Sequence, residues 1–318
     1  MLESIILSLL GGLTLFLYAL NYLADSLKTV AGERMQHYLN KFTGNLFSGI
    51  ASGTVITTLL DSSSAVIIMT IALVKSRALT FRQAMGIVMG ANIGTTISSQ
   101  IIALDVGKYS SVLMAIGFLM LMLTKKRLVK NIGRVLLGFG LIFFGLYVIE
   151  ESVAPLRQDS RFADWMLALE SPLNGVGIGA LVTLIIQSSS ATVGMVIALG
   201  AKKLITITAG IAVMLGAELG TCSDTLLASI GHNRQAVKTG LFHLFFNVVS
   251  IALALVFFNP FVQLVSYISG HAPLERQIAN AHVLFNCLGV VLFIPVVPLV
   301  ERFLNQFVRE KKSIPQLA

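Results

Sequence analysis

Charge is scarce in this sequence. Asp, Glu, Lys and Arg make up 12% of its 318 residues, whereas a typical soluble domain carries about 25%. Hydrophobic residues make up 55% and the mean hydropathy is +0.84. So little charge cannot solvate the surface of a chain this long, so the outer surface must face lipid and a cytosolic enzyme is excluded. Cysteine is scarce as well. Cys222 and Cys287 stand in apolar surroundings without a CxxC spacing, which excludes a disulfide framework and a zinc site and leaves two buried thiols as the expectation. The start lacks a basic stretch and a small-residue cleavage site, so the first apolar run reads as a retained span. No basic stripe interleaved with aromatics is present, so no nucleic-acid partner is expected. The net charge of +8 instead fits basic cytoplasmic loops.

What is present is long apolar runs. A helix needs roughly 20 apolar residues to cross about 30 Å of hydrocarbon, and the stretches 4–27, 81–103, 109–124, 131–149, 204–227, 237–258 and 278–300 meet or approach that length. Two further stretches are interrupted, at Asp61-Ser62-Ser63-Ser64 and at Gln187-Ser188-Ser189-Ser190. After the first interruption only Ala65 to Val74 remain before Lys75, about 15 Å of helix, enough to reach half-way through the bilayer. Both stretches therefore predict re-entrant helical hairpins, over 44–76 and 173–201, with tips packed in protein or facing water. Three spans between them put the second hairpin on the opposite face. The fold expected is an all-α polytopic membrane protein with two inverted-topology repeats, 1–150 and 173–318, joined by an extracellular linker 151–172. Basic residues agree with that topology. Seventeen of the 23 fall on the side of Lys28, Lys75, Lys125, Arg309, Lys311 and Lys312, and six (Lys108, Arg157, Arg161, Lys202, Lys203 and Arg276) on the other. This places the C-terminus in the cytoplasm, with Lys202 and Lys203 the weakest assignment.

One offset, 126 residues, aligns the two halves. It puts Asp61 on Gln187, Ser62-Ser63-Ser64-Ala65 on Ser188-Ser189-Ser190-Ala191, and Gly90-Ala91-Asn92-Ile93-Gly94-Thr95 on Gly216-Ala217-Glu218-Leu219-Gly220-Thr221. Duplicated, oppositely oriented halves with broken helices at mid-depth are the pattern of secondary transporters, whose substrate site lies at the repeat interface. Serine hydroxyls with the free N–H groups of a beginning half-helix suit an oxyanion. Carbonyls with Gln, Asn and Thr oxygens suit a hard cation such as sodium. An intramembrane serine hydrolase is disfavoured, because a duplicated serine triplet without a nucleophile-bearing turn gives no single activated nucleophile. A channel is disfavoured because two opposed hairpins suit alternating access.

These motifs resemble the type II sodium/phosphate cotransporters and their bacterial relatives. That family carries QSSS in each repeat, matched by Gln187-Ser188-Ser189-Ser190 and less closely by Asp61-Ser62-Ser63-Ser64. It carries a GANIGTT-like segment after each, matched at Gly90–Thr96 and less closely at Gly216–Cys222. Its H-x-x-F-N pattern stands at His243–Asn247 and His282–Asn286. The resemblance implies sodium-coupled symport of inorganic phosphate across the plasma membrane, no enzymatic activity, no organic cofactor and a homodimer. Phosphate is then expected at Ser62, Ser63, Ser64, Gln187, Ser188, Ser189 and Ser190, and sodium at Asp61, Asn92, Thr95, Gln187, Glu218 and Thr221. Many bacterial members add a PhoU-like domain, which is not expected here.

Two departures matter. Asp61 replaces the motif Gln and Glu218 the motif Asn, and together with Asp224 they are acidic residues inside apolar segments. Ionisable groups at that depth are functional candidates. Either Asp61 and Glu218 ligate sodium directly, or they titrate and couple transport partly to protons, or the substrate is another oxyanion. His243 and His282 each share a helix face with an Asn four residues on, as interhelical glue or as ion contacts. Gly11, Gly12, Gly133, Gly138, Gly140 and Gly145 are expected at close helix contacts, Trp165 at an interface, and 33–42 as an amphipathic surface helix.

Overall fold

A computed structural model describes residues 2–31, 34–104, 107–158, 160–231 and 233–308. Glu33, Asp159, Arg309, Lys311 and Lys312 lie outside the described residues. Sixteen α-helices and three short 3-10 turns are found among the described residues, and no strand. In chain order they are α1 (Leu2–Ala31), α2 (Arg34–Phe42), α3 (Leu46–Leu60), α4 (Ser63–Lys75), α5 (Phe81–Ile102), α6 (Ser110–Leu123), α7 (Arg127–Val153), α8 (Ser160–Ala168) and α9 (Pro172–Ile186). There follow α10 (Ser189–Ala201), α11 (Ile207–Gly220), α12 (Cys222–Ser229), α13 (Arg234–Val256), α14 (Phe258–Ser269), α15 (Leu274–Phe293) and α16 (Val297–Phe307). Five described segments are long and apolar enough to cross a membrane: Glu3–Leu27, Arg127–Leu156, Ile207–Ser229, Arg234–Val256 and Leu274–Phe307. The molecule is an all-α, multi-pass membrane protein.

Several elements differ from the sequence expectation. The run 109–124 yields a 14-residue α6, about 21 Å, too short to cross hydrocarbon unaided. The expected span 204–227 is present as the segment Ile207–Ser229, with a one-residue interruption at Thr221 between α11 and α12. Ser223 Oγ donates to the Gly220 carbonyl (2.8 Å) and Thr225 Oγ1 to that of Cys222 (3.0 Å), and such side-chain bonds compete with the helix for its carbonyls. The expected span 278–300 lies within the segment Leu274–Phe307, which tightens into a 3-10 turn at Ile294–Val296, where Pro295 has no N–H to continue the ladder. Gly11 is not at a close contact, since a Cβ there would meet nothing within 4 Å. Cys287 is only half-buried.

Both serine interruptions are chain reversals. α3 runs alongside α5 in the same direction, with Gly49 against Gly86 and Gly94 against Thr54 and Thr57. α4 ends only five residues before α5 begins. The chain therefore turns back between α3 and α4, at Asp61 and Ser62. α9, α10 and α11 repeat the arrangement, with Gly175 against Ala212 and Gly220 against Ala180 and Thr183. The reason lies in the glycines that let the helices touch backbone to backbone. A Cβ on Gly90 would stand 2.0 Å from the Ile50 carbonyl oxygen, and one on its repeat-mate Gly216 2.1 Å from that of Val176.

The duplication extends to backbone conformation. Among the described residues the non-glycine positions with positive φ are Asp61 (52°), Arg77 (62°), Gln187 (59°) and Lys203 (55°), two pairs at the same offset of 126. Arg77 and Lys203 end α4 and α10 in the left-handed cap in which a following N–H returns to the last turn: Ala78 N–H donates to Leu73 O and Leu204 N–H to Leu199 O, both at 2.9 Å. Packing across the molecule is reciprocal: α4 lies on α12 and α10 on α5, so each hairpin's second arm meets the other half's GAxxGT region. α15 lies between the halves, against α5, α10 and α11. At the end of α10, Lys202 pairs with Glu151 (2.8 Å) and Glu150 (3.6 Å). The hydrogen bond to Glu151 lifts the ammonium above the usual lysine range and offsets its charge locally.

Candidate functional site

The two hairpin tips are built alike. Asp61 and Gln187 take left-handed conformations at the ends of α3 and α9, and Ser62 and Ser188 follow in extended conformation as N-caps. Each cap hydroxyl accepts from the N–H three residues on, Ala65 and Ala191, at 3.2 Å in both cases. The first-turn N–H groups ahead of those have no helical partner and sit at the positive end of the helix dipole. Each tip is therefore a cluster of hydrogen-bond donors. Ser63, Ser189 and Ser190 are buried, Ser62, Ser64 and Ser188 half-buried, and Gln187 exposed.

Ser64 is the serine that reaches the other half. Its hydroxyl donates to Asp224 Oδ2 at 2.6 Å and stands 3.4 Å from Thr221 Oγ1. Asp61 turns elsewhere: it accepts from Ser98 Oγ, and with Thr58 and Ser98 it lines a cavity of about 70 Å³ otherwise walled by α1, α5 and α7 side chains. Asn92 and Thr95, nearly sealed, are turned onto their own helix, donating to Val88 O (3.3 Å) and Ala91 O (3.0 Å). Hence the residues expected to ligate sodium form no single shell. Thr221 joins Ser64 and Asp224, Asp61 joins Ser98, and Glu218 makes a third group.

That third group is fully buried. Glu218 Oε1 lies 3.0 Å from His282 Nε2, and His282 Nδ1 lies 2.7 Å from Ser99 Oγ, with relative exposures of 1%, 0% and 1%. His243 stands in a parallel arrangement, its Nδ1 2.8 Å from Thr225 Oγ1 and its Nε2 4.0 Å from Cys222 Sγ. Each histidine's helix carries an Asn one turn on, and both Asn247 Oδ1 and Asn286 Oδ1 are buried without a hydrogen-bond partner among the described residues. The order Ser–His–Glu resembles a hydrolytic set, but Ser99 lies inside α5, whose backbone donors are engaged in the helix. A nucleophile there has neither free N–H groups for an oxyanion nor access for a substrate.

Sequence reasoning found Ser64, Thr221, Glu218 and the histidines but left out Ser98, Ser99 and Thr225, and left Asp224 without a role. A signal existed. The 126-residue offset continued past the GAxxGT segments puts Ser98 on Asp224 and Ser99 on Thr225.

Comparison with known proteins gives the context of this geometry. The family described as Na+/Pi-cotransporter matches residues 15–151 and 158–292. A Bacillus subtilis protein named YqeW, uncharacterised, is 29% identical over 308 residues, 96% of this chain and 99% of the relative. The putative inorganic phosphate export protein YjbB of Escherichia coli K12 is 26% identical over 316 residues, 97% of this chain but 57% of the relative. The human sodium-dependent phosphate transport protein 2B is 35% identical over 137 residues, 40% of this chain and 20% of that protein. No solved structure matches the chain.

Proposed function

Because the chain belongs to the Na+/Pi-cotransporter family, we propose that it carries inorganic phosphate with sodium across the plasma membrane by alternating access, with the hairpins re-entrant and the two halves inverted. The observation that carries this reading is the contact of Ser64, on the first hairpin tip, with Asp224 and Thr221 of the other half.

Phosphate needs donors that lose little on reorganisation. The serine hydroxyls at 62–64 and 188–190, with the unpaired N–H groups of α4 and α10, supply them at two positive helix ends. A carboxylate 2.6 Å from Ser64 would repel the anion unless a cation neutralised it. Asp224, with the oxygens of Thr221 and Ser64, is therefore assigned to a sodium ion bound next to phosphate, which makes the two ligands mutually dependent. Asp61, with Ser98 and Thr58 at their cavity, is a second cation position. Relatives are named for export and for sodium-dependent transport; a symmetric carrier runs in either direction, according to the gradients.

Equilibrium binding of labelled phosphate to purified protein tests the reading. Sodium is expected to raise phosphate affinity where potassium does not, and Ser64→Ala is expected to abolish the gain. Phosphate affinity indifferent to sodium would overturn the assignment.

A further inference from the structure

We propose that a cavity between α13, α14 and α15 binds a small uncharged molecule of the phenol class, one aromatic ring bearing one hydrogen-bonding oxygen, with Ser250 as its polar contact. No hairpin-tip residue lines it, and the proposal does not rest on the phosphate-carrier reading. Its volume is about 140 Å³, close to the roughly 150 Å³ of an engineered apolar cavity that takes benzene. Four phenyl rings wall it, those of Phe257, Phe261, Phe285 and Phe293, and aromatic pairs gain from edge-to-face and offset contacts beyond their buried area. None of the lining side chains is charged, so a charged ligand finds no counter-ion there.

Ser250 gives the cavity its chemical direction. Buried serines elsewhere in the spans turn back on their own helices: Ser26 donates to Tyr22 O (2.7 Å), Ser152 to Val148 O (2.6 Å) and Ser229 to Leu226 O (2.7 Å). Ser250 is only 5% exposed and lines the cavity, and its Oγ has no hydrogen-bond partner among the described residues. Gly289, on the same wall, leaves room beside that hydroxyl, since a Cβ there would stand 3.1 Å from Ser250 Oγ and 3.3 Å from the Phe246 ring. A buried hydroxyl without a partner is costly, and a ligand oxygen that meets it removes the cost.

Two other occupants match this wall less well. A buried water needs two to four polar partners, and here one hydroxyl stands among apolar side chains. A phospholipid chain reaches the mouth, where Leu253, Phe257 and Leu292 are exposed, but it carries no oxygen to this depth. Ser250 stands six residues before Val256, the end of α13. That is about 9 Å along the helix, within the hydrocarbon rather than at the level of the lipid esters. An uncharged ring dissolves in the hydrocarbon and enters from there, bringing its oxygen with it.

The test uses the purified full chain in lipid nanodiscs and ¹⁹F spectra of two probes, 4-fluorophenol and fluorobenzene, the ring without the hydroxyl. Lipid-only nanodiscs give the partitioning to subtract, and affinities are referred to the probe dissolved in the lipid. Saturable binding of both probes is expected, with 4-fluorophenol tighter by about threefold to tenfold, the net worth of one hydrogen bond. Ser250→Ala is expected to erase that preference while keeping the affinity for fluorobenzene. Ala254→Phe, which fills the cavity from a half-buried position on its wall, is expected to abolish saturable binding of both. Should Ala254→Phe not fold, Leu253→Trp, at the exposed mouth, is read in the same way. Equal wild-type affinities for the two probes, or a preference that survives Ser250→Ala, overturn the ligand class. Binding that never saturates, or that persists unchanged in the filled variant, overturns the cavity as the site.

Discussion

Asp224 and Gly216 carry different kinds of consequence, one electrostatic and one steric. Asp224→Asn keeps an oxygen for the Ser64 hydroxyl but removes the charge that a cation would meet. A hydrogen bond or contact to a charged group contributes about 1.5–3 kcal/mol, so the sodium concentration for half-maximal phosphate flux is expected to rise roughly tenfold or more, read from flux against sodium concentration. An unchanged sodium dependence would remove Asp224 from the cation site. Gly216→Ala forces a methyl to within 2.1 Å of the Val176 carbonyl, and α9 and α11 must part. The cost is expected to be about 1–3 kcal/mol, with a clear drop in detergent melting temperature. Gly11→Ala has open space and is expected to change stability by no more than about 0.5 kcal/mol. Equal melting of all three proteins would contradict the packing described here. Gly90 and Gly216 were legible as repeat-mates in the sequence. Their role was not, because a glycine at a backbone contact and one facing open space, such as Gly11, are written identically.

The hairpin is the element that the repeat conserves most closely. Its tip takes a left-handed residue that is not glycine, and its second arm ends on another, Arg77 or Lys203. A side chain in that conformation costs roughly 1–2 kcal/mol, so Arg77→Gly and Lys203→Gly are each expected to stabilise the protein by about 1 kcal/mol, seen as raised melting temperatures. Destabilisation by both would mean that their side chains contribute more than the backbone strain removes. At the tip, Asp61→Asn is expected to fold, since Asn tolerates the left-handed region, while Asp61→Val is expected to lose stability, since a β-branched residue does not. Hairpin existence and position were readable because a polar triplet ends an apolar run too early to span. The break of α11 from α12 at Thr221 was not, because the corresponding stretch of α5 runs on unbroken with similar residues.

At the scale of the molecule, reciprocal packing of α4 on α12 and α10 on α5 agrees with two halves related by inversion in the membrane, the topology we propose. Single cysteines in a background lacking Cys222 and Cys287 would test it. Arg77→Cys, in the turn after the first hairpin, is expected to react with a membrane-impermeant maleimide from the cytoplasmic face, and Lys203→Cys, its counterpart, from the outside; labelling of both from one face would contradict the inversion. Helical class and the doubled motif were plain in the sequence, because hydrophobic length and a fixed offset are local or periodic signals. The partnership of Glu218 with His282, 64 residues away, and of Ser64 with Asp224, 160 away, had no such signal, since only the packing of α15 on α11 and of α12 on α4 creates them.

The most direct measurement is phosphate accumulation in proteoliposomes of the purified chain, with an inward sodium gradient imposed against a potassium control at equal pH on both sides. The account predicts accumulation above equilibrium that depends on the sodium gradient and is lost in Ser64→Ala. Phosphate that only equilibrates, at the same rate in sodium and in potassium, would contradict it.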